Sequence, residues 1–476
     1  MVLFKLLDRG IGLVSTVVLA RLLLPVDFGV VAMASSVIAV VELLSSFSFD
    51  VALIQHQRAG RDQLDTAWTL NLLFALVCAG AVALAAHPAA AFYSEPRLQL
   101  VIFVLAAGTL VQGFENVGVV AFRKELTFDK EFRFLLIKRS LNFAVTLTMA
   151  FLLRSYWALV VGMVTGRVLG VAVSYMAHPY RPRLSLSARA ELFHFSKWLL
   201  VNNMLFFFNH RISDFVVGRL SGAHALGLLT VSYEISNLPS TELVAPINRA
   251  TLPGYAQLSP NPEAFRQAFL KVLGMVAILV LPASLGIAAV ADLLVPAIFG
   301  KHWLEAISLI QILAVFGGLH ATQTNVGPAL MALGKPRVLT LLASVHLVVL
   351  VVLLLILASR SGVLGAAWAV LLAYALTTPL VWIVVAKEVG VRVGEIVGVL
   401  ARPAVASLVM CAAVLWLKAW LATDLYLTLS ISVICGVLVY FGVLFLIWQL
   451  QARPPGSESR LLDFTLAYFS GRRHST

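Results

Sequence analysis

The chain has 476 residues, of which 60% are hydrophobic and 12% are charged, and its mean hydropathy is +0.94. A soluble protein needs about 25% charged residues to cover its surface, so this composition excludes a soluble globular protein. A net charge of +12 can indicate nucleic-acid binding, but here the cations lie in alternating loops between apolar segments, which is typical of a membrane protein. We therefore expect a multi-pass membrane protein in contact with membrane lipids and without a nucleic-acid partner.

The apolar segments predict about fourteen transmembrane spans, since each span needs about 20 residues. All should be helical, because helices and closed barrels alone satisfy every backbone polar group in lipid, and the runs are too long and too apolar for barrel strands. The sequence thus predicts an all-α integral membrane protein. The predicted span centres, in chain order, are Val14, Ile38, Leu76, Leu105, Leu147, Val164, Phe207, Ser236, Ile278, Leu319, Val348, Leu371, Val409 and Val433.

One local pattern occurs twice: an apolar run, Arg-Leu, a short polar break, glycine and a second apolar run. Its Arg and Gly are Arg21 and Gly29 in the first copy and Arg219 and Gly227 in the second, eight residues apart in each. A second similarity relates the stretches that begin near Phe92 and near Phe299. Both stretches end in Asn-Val-Gly, at Asn116 and at Asn325.

These repeats predict two copies of one helical membrane unit, an architecture that is usual in transporters, with the substrate path between the halves. We expect an N-terminal six-helix lobe over 1–178, a cytoplasmic linker over 179–194 and a second six-helix lobe over 195–388. Two additional transmembrane helices over 389–450 have no partner in the repeat. A cytoplasmic tail over 451–476 follows, either as an interfacial amphipathic segment or as a disordered tail.

Loop charge predicts the orientation. One set of alternate loops, together with the C-terminal tail, holds nearly three times as many lysines and arginines as the opposite set. Since cytoplasmic loops carry the excess of cations, both termini should be cytoplasmic. The cations of the opposite set are Arg21, Arg97, Arg154, Arg219, Lys301, Arg360 and Lys418.

Ionisable residues inside spans are costly and usually face a bundle interior or a water path. In the first half they are sparse: Glu42, Glu115 and Arg167 are candidates for gating or substrate contacts, or are satisfied helix contacts. The nearby glycines Gly162, Gly166 and Gly170 are spaced four apart, which favours close helix packing.

Polar residues are concentrated in the seventh and eighth spans. Asn203, Arg211 and Asp214 share one sector of the seventh helix, because positions three, four and seven apart share a face. The functional interpretation is a wet cavity in which Arg211 faces an anionic group of the substrate; the alternative is that Arg211 and Asp214 simply neutralise each other. The candidate substrate-binding residues are Arg211, Arg249, Asn203, Asn209 and Arg167. The candidates for ion coupling or gating are Asp214, Glu234, Glu42 and Glu115.

Further along, His320, Gln323 and Asn325 face either the cavity or neighbouring helices as hydrogen-bond partners. The prolines of the eighth span should kink its helix.

The sequence lacks the signature motifs of several enzyme classes. The sequence has no Walker lysine motif, no GxSxG and no HExxH, and its loops leave no room for a soluble catalytic domain. The three cysteines all fall within apolar segments and form no CxxC pair, so disulfides and structural zinc are not expected. The sequence therefore predicts a protein that is not an enzyme and has no metal site or cofactor. Without an ATP motif, the expected driving force is either an ion gradient, with Na+ or H+ as the coupling ion, or downstream consumption of the product.

Five segments of the sequence point to a family. They are LARLLLPVDFGVVAMASS, the run VALIQHQ from Val51, FRKELTFDKEF from Phe122, the stretch from Asn209 to Pro239 and the GKPR turn at Gly334. In order and spacing they resemble the bacterial exopolysaccharide and O-antigen flippases of the colanic-acid exporter type. These proteins are part of the multidrug/oligosaccharidyl-lipid/polysaccharide exporter superfamily. The resemblance covers about residues 10 to 450.

This resemblance implies a MATE-like fold of two six-helix lobes and a cavity that opens alternately to each side of the membrane. It implies as substrate an oligosaccharide repeat unit on an undecaprenyl diphosphate carrier, flipped across the bacterial inner membrane for surface polysaccharide synthesis. Arg211 and Asp214 match the polar stretch that opens the second lobe. Polysaccharide polymerase or export machinery is an expected partner.

Three rivals remain at this point. A drug/cation antiporter of the same superfamily would need an acidic cavity, and the expected clustering of Arg211 with Arg249 argues against it. A membrane glycosyltransferase or polymerase would need a large or acidic catalytic loop, which the sequence lacks. A non-transporting scaffold of a polysaccharide assembly complex would tolerate loss of Arg211.

Overall fold

The computed structural model describes residues 2–44, 60–124, 127–187, 189–421 and 424–450, which form helices and turns and contain no strand. The described residues fall into two compact units, Met1–Thr230 and Val231–Thr476. The lobes and linker expected from the sequence remain predictions, and the tail over 451–476 lies outside the described residues.

The helices of the first unit run up to the long helix α8, which continues into the second unit. They are α1 (Val2–Leu22), α2 (Pro25–Leu44), α3 (Arg61–Tyr93), α4 (Arg97–Gln112), α5 (Ala121–Lys124), α6 (Phe128–Leu153), α7 (Trp157–Ala177) and α8 (Arg189–Leu238). A π-helical segment, Pro239–Val244, follows α8, as expected for a proline that removes a backbone donor from the helix. The remaining helices are α9 (Ala245–Leu258), α10 (Pro262–Ile298), α11 (Ala306–Gln323), α12 (Val326–Ala332), α13 (Pro336–Val389), α14 (Val393–Trp420) and α15 (Leu425–Leu450).

By length and hydropathy, ten helices among the described residues can cross a membrane, and α4 and part of α1 are shorter apolar helices. Two long helices are interrupted: α8 at Gly222, with φ 79°, and α13 at Ser361 and Gly362, the latter with φ 59°. Each interrupted helix contains two of the predicted span centres, and the other predicted centres also lie on helices. The all-α membrane fold is therefore confirmed, whereas the number of fourteen spans stays a prediction.

The glycine stripe of α7 packs against α6. A Cβ atom added at Gly162, Gly166 or Gly170 would meet side-chain atoms of α6 at only 2.3, 2.4 and 2.7 Å. Those atoms belong to Thr146, Asn142 and Lys138, respectively. The expected close packing is confirmed, and polar side chains, four residues apart on α6, fill the space that the glycines leave.

The repeated Arg-to-Gly pattern forms a reciprocal contact between α2 and the part of α8 after Gly222. A Cβ at Gly29 would lie 1.7 Å from the carbonyl oxygen of Ala223, and a Cβ at Gly227 would lie 1.7 Å from that of Pro25. Pro25 and Ala223 occupy the same position in the two copies, four residues after the arginine. Each copy thus places its glycine on the other copy's backbone, and we call this contact the glycine seam.

The second similarity also has a common structure. In both copies a helix ends in a left-handed residue, Ser94 with φ 55° and Gly300 with φ 90°, before the next apolar helix begins. That helix ends just before Asn116 or Asn325, and both asparagines are fully buried. The Asn325 side chain accepts a hydrogen bond from the Tyr255 hydroxyl at 2.8 Å.

The linker after α7 is fastened to the first unit, and residues 179–187 are called the strap. The Asn116 side chain donates to the carbonyl of Tyr180 at 2.8 Å. Asp65 accepts hydrogen bonds from the Tyr180 hydroxyl and from the amide of Arg183, the latter at 3.0 Å. The strap therefore joins two loops of the cation-rich set, those that hold Arg61 and Arg183.

Loops of the cation-poor set also meet one another. Arg219 donates to the hydroxyl of Ser94 at 3.2 Å, and the Arg97 guanidinium lies over the ring of Tyr156, 5.8 Å from its centre. These two contacts each join loops of the same set, and the orientation expected from the charge pattern remains a prediction.

In the second unit, aromatic and aliphatic side chains of α9, α10, α12 and α13 form a core that includes Phe265, Phe269 and Trp382. The helices without a repeat partner pack onto α10, where Tyr440 of α15 donates to the carbonyl of Ile278 at 2.8 Å. Gln323 donates to Thr378 at 2.6 Å, so this residue and Asn325 form the interhelical hydrogen bonds that were one of the two expectations.

Candidate substrate-binding cleft

Three adjoining cavities form a cleft inside the first unit, with volumes of about 450, 330 and 350 Å³. The first, called the carboxylate cavity, is lined by Glu42, Glu115 and Glu131. The last, called the arginine cavity, is lined by Arg139 and Arg211. The connecting cavity shares Lys138 and Glu115 with the first and Arg139 and Asn142 with the last, so the three cavities adjoin one another.

Ion pairs between helices shape the carboxylate cavity and its exit. The ammonium group of Lys138 on α6 lies 2.8 Å from the Glu115 carboxylate. Arg167 on α7 lies 3.2 Å from the carboxylate of Glu42 at the end of α2 and donates to the hydroxyl of Thr109 at 2.5 Å. Charges buried in an apolar bundle need such partners, because an isolated ion there is costly.

The arginine cavity combines cations with apolar walls. Phe28 and Met163 contribute to these walls. Arg211 on α8 pairs with Asp214 at 3.0 Å, and its side chain is 41% exposed, against 17% for Asp214. Asp214 also accepts a hydrogen bond from Ser36 on α2 at 3.1 Å. The guanidinium is therefore held in position by a carboxylate while a large part of it remains accessible.

The structure brings together some of the predicted site residues. Glu42 and Arg167 form one ion pair, and Arg211 and Asp214 form another, whereas Glu115 pairs with Lys138. Both interpretations of the Arg211 and Asp214 pair remain open, since the residues do neutralise each other and also line or adjoin a cavity.

The other predicted site residues contribute less to the described lining of the cleft. The Asn209 amide donates to the carbonyl of Leu205 on its own helix at 2.8 Å. Glu234 lies in the second unit and is exposed. Asn203 and Arg249 lie on described helices, but their side chains are outside the described residues.

Sequence reasoning missed Lys138, Arg139 and Asn142 on α6. Their stretch, IKRSLNF, lies near the start of a span, and all three line the cleft. Their spacing along the sequence could have indicated this, because Lys138, Asn142 and Thr146 are four residues apart, as are the glycines of α7. A polar stripe opposite a glycine stripe indicates that both face the interior of the bundle.

Among the described residues, no cluster of three or more His, Cys, Asp and Glu side chains could hold a metal ion. All three cysteines, Cys78, Cys411 and Cys435, are free thiols. The lining of the cleft offers charged, amide and hydroxyl groups, so its chemistry is that of a binding site for a polar, ionic molecule.

The fold defines a class, the multi-pass helical membrane proteins. The chain is similar in fold to lipid II flippase MurJ in an inward closed conformation, with a TM-score of 0.77 over 95% of this chain and 100% of that one, at 13% identity. It is also similar to a multidrug resistance MATE family transporter of the MOP superfamily in an inward-facing conformation, with a TM-score of 0.56 over 80% of this chain and 95% of that one, at 13% identity.

The sequence comparisons define the family. A family model described as polysaccharide biosynthesis protein matches residues 18–308, more than half of the chain, and the chain belongs to this family. It is 29% identical over 69% of its length to the lipopolysaccharide biosynthesis protein WzxC of Escherichia coli strain K12, covering 67% of that protein. It is 22% identical over 71% of its length to the succinoglycan biosynthesis transport protein ExoT of Rhizobium meliloti strain 1021, covering 69% of that protein.

Proposed function

We propose that this protein flips or exports lipid-linked oligosaccharide repeat units across the bacterial inner membrane for surface polysaccharide biosynthesis. The observation that carries the proposal is the cation-lined cleft of the first unit, in a member of a polysaccharide biosynthesis family. A diphosphate between a prenyl tail and a glycan is an anion that such a cleft would bind. Transport is by alternating access, in which the cleft opens to one side of the membrane at a time.

In this proposal Arg211 and Arg139 bind the diphosphate, and the prenyl tail stays against apolar side chains and lipid. The planar guanidinium can hold two phosphate oxygens at once, which a lysine cannot do. A phosphate that engages Arg211 competes with Asp214 for the same guanidinium.

Coupling to an ion gradient is part of the proposal. Asp214 or Glu234 would bind a proton or a sodium ion during the cycle, since acidic residues within membrane helices serve such roles. Transport by a variant with both Asp214→Asn and Glu234→Gln, measured against pH and sodium, tests this point. Unchanged pH and sodium dependence in that variant would contradict it.

The setting follows from the charge pattern. We place the protein in the bacterial inner membrane with both termini in the cytoplasm, because one set of alternate loops and the C-terminal tail carry the excess of lysines and arginines. Polysaccharide polymerase or export machinery would receive the flipped product, in agreement with the biosynthetic names of the relatives.

The experiment is a deletion strain, in which the leaflet that holds lipid-linked oligosaccharide is determined with a membrane-impermeant probe on sealed spheroplasts. We expect accumulation in the cytoplasmic leaflet, reversed by the native gene and by Arg360→Ala, an exposed arginine outside the cleft, but not by Arg211→Ala. Normal amount and sidedness would overturn the proposal. Drug sensitivity of the deletion strain would then favour a drug/cation antiporter, and full function of Arg211→Ala would favour a non-transporting scaffold.

A further inference from the structure

Two uncharged amides line the carboxylate cavity, Asn71 on α3 and Gln112 at the end of α4. Asn71 is half-buried and Gln112 is exposed. Within the part of the chain that the structure describes, neither side-chain amide forms a hydrogen bond to the protein. A polar group in an apolar bundle is costly without a hydrogen bond, so these amides are available to a molecule in the cavity.

Packing of α4 on α3 brings the two amides together. A Cβ atom added at Gly113 would lie 2.4 Å from the Cβ of Ala75 and 3.3 Å from the Cα of Leu72. The helices therefore approach each other closely at this point. Asn71 and Gln112 are the residues just before this contact on each helix, so they lie on adjoining parts of the cavity wall.

Several other polar groups of this cavity are engaged within the protein. Glu42 and Glu115 form ion pairs with cations of α7 and α6. The hydroxyl of Thr109 donates to the carbonyl of Leu105 at 3.2 Å and accepts a hydrogen bond from Arg167 at 2.5 Å. The two amides are therefore uncharged groups that a ligand can engage without breaking a contact of the protein.

This part of the cavity wall suits a sugar ring. Each amide has a carbonyl acceptor and an NH2 donor, and both match hydroxyl groups, which donate and accept hydrogen bonds. Phe74 is three residues after Asn71, on the same face of α3, and adds an aromatic surface for the apolar face of a sugar. Gln112 also lines the connecting cavity, which adjoins the arginine cavity. The wall is thus close to the place of the diphosphate in the proposed function.

We infer that Asn71 and Gln112 form a sugar subsite, which binds hydroxyl groups of the sugar nearest the diphosphate. The inference rests on the proposed function and adds two specificity-determining residues. A site that hydrogen-bonds a hydroxyl group rejects an analogue without it, because the polar groups of the protein are then left unpaired. This recognition depends on hydrogen bonds, and not on the charge of the cavity.

The effect of substitution follows from the same argument. Asn71→Leu and Gln112→Met keep a side chain of similar shape and remove its amide group. The variant with both substitutions should flip a hydroxylated sugar more slowly than the native protein does. It should flip a sugar without ring hydroxyl groups at least as fast, because no polar group of this wall is then left unpaired.

The test uses purified protein in proteoliposomes and two probes. One is prenyl diphosphate carrying glucose, and the other is the same lipid with the ring hydroxyl groups of glucose replaced by hydrogen. A diphosphatase added outside the vesicles cleaves the molecules that reach the outer leaflet, and the rate in protein-free vesicles is subtracted. We expect the native protein to flip the glucose probe at least about tenfold faster, and the variant with both substitutions to lose at least about tenfold of this preference.

The matched control is Gln99→Met with Gln257→Met, which removes two exposed amides that do not line the cleft. This control should keep the native preference. Equal rates for the two probes in the native protein would overturn the inference without any variant. An unchanged preference in the folded variant would overturn it as well.

Each single substitution, Asn71→Leu or Gln112→Met, should lose part of the preference. The single variants decide the question in the same way if the variant with both substitutions does not fold. Failure of the native protein to flip either probe would instead contradict the proposed function.

Discussion

At the scale of single residues, Arg211 shows how one side chain can be held in position by an ion pair and still be accessible to a ligand. Its guanidinium is 3.0 Å from the Asp214 carboxylate, and its side chain, which lines the arginine cavity, is 41% exposed. A charge-assisted hydrogen bond to a phosphate contributes about 1.5–3 kcal/mol, so we expect Arg211→Ala to reduce the flipping rate by at least about tenfold. Arg211→Lys should restore part of the rate, because it keeps the charge and loses the fork geometry. A full rate for Arg211→Ala in proteoliposomes would contradict this role.

A separate prediction concerns Tyr180 in the strap. Burial and its hydrogen bond to Asp65 raise the pKa of this phenol above its usual range, so it stays a protonated donor at neutral pH. A raised pKa in the folded state contributes stability that is present below the ordinary tyrosine pKa of about 10 and is lost at higher pH. We expect Tyr180→Phe to lower the thermal stability of the detergent-solubilised protein at pH 7. Above about pH 10 the native protein loses this contribution, so the difference in thermal stability between the two proteins should become smaller. Equal stability of both proteins at pH 7 would show that the hydrogen bond contributes nothing.

The candidate site could be predicted only in part from single residues. Ionisable residues within apolar runs stand out, because a charge in the membrane interior is costly unless it has a partner or a function. This applies to Glu42, Glu115, Arg167 and Arg211. Lys138 did not stand out, since near the start of a span a cation also fits the membrane surface. Which carboxylate pairs with which cation depends on packing between helices that are far apart in sequence, so the sequence could not give the partners.

At the scale of elements, the packing of α6 on α7 depends on glycine. Gly166→Ala would place a methyl group 2.4 Å from the Asn142 amide oxygen, and crowding of this kind typically costs about 1–3 kcal/mol. We expect lower thermal stability and a reduced flipping rate, because Asn142 also lines the cleft. The matched control is Gly80→Ala on α3, where no atom lies within 4 Å of the added Cβ. Gly80→Ala should not lower the stability, because alanine has the higher helix propensity. Comparable losses in the two variants would contradict the packing explanation.

The glycine seam gives a second prediction for elements. In Gly29→Ala or Gly227→Ala a methyl group would lie 1.7 Å from a backbone carbonyl oxygen, so α2 and α8 must separate. Since α2 also carries Ser36 and Glu42, both variants should shift the protein away from the conformation described here. A cysteine introduced at Ala223 should then react faster with an impermeant thiol reagent than in the native background. Unchanged reactivity would show that the seam adapts without opening.

The elements themselves were largely predictable, because long apolar runs in lipid have few alternatives to helix. The repeat also indicated where similar turns occur, as Ser94 and Gly300 show. The seam was not predictable, since the repeated glycines could equally have packed within their own copies. The interruption of α8 at Gly222 involves one residue and no loop, because a single glycine with positive φ is enough to change the direction of the chain.

At the scale of the whole molecule, the charge pattern predicts which loops share a side of the membrane. In a variant without native cysteines, Arg183→Cys in the strap should react with an impermeant maleimide only after the membrane is permeabilised. Glu95→Cys, in a loop of the cation-poor set, should react in intact spheroplasts. The opposite result would invert the orientation, and equal labelling of both positions from one side would contradict the separation of the loops.

The central claim is that this chain by itself moves a lipid-linked glycan across a bilayer, and flipping by the purified protein in proteoliposomes tests it most directly. The probe is a prenyl diphosphate carrying one uncharged sugar, and the fraction that reaches the opposite leaflet is measured with an impermeant reagent. We predict transport that depends on the native protein, falls at least about tenfold in Arg211→Ala and persists in Arg360→Ala. A probe that stays in its original leaflet in the presence of folded native protein, under sodium and proton gradients of either direction, would contradict the account.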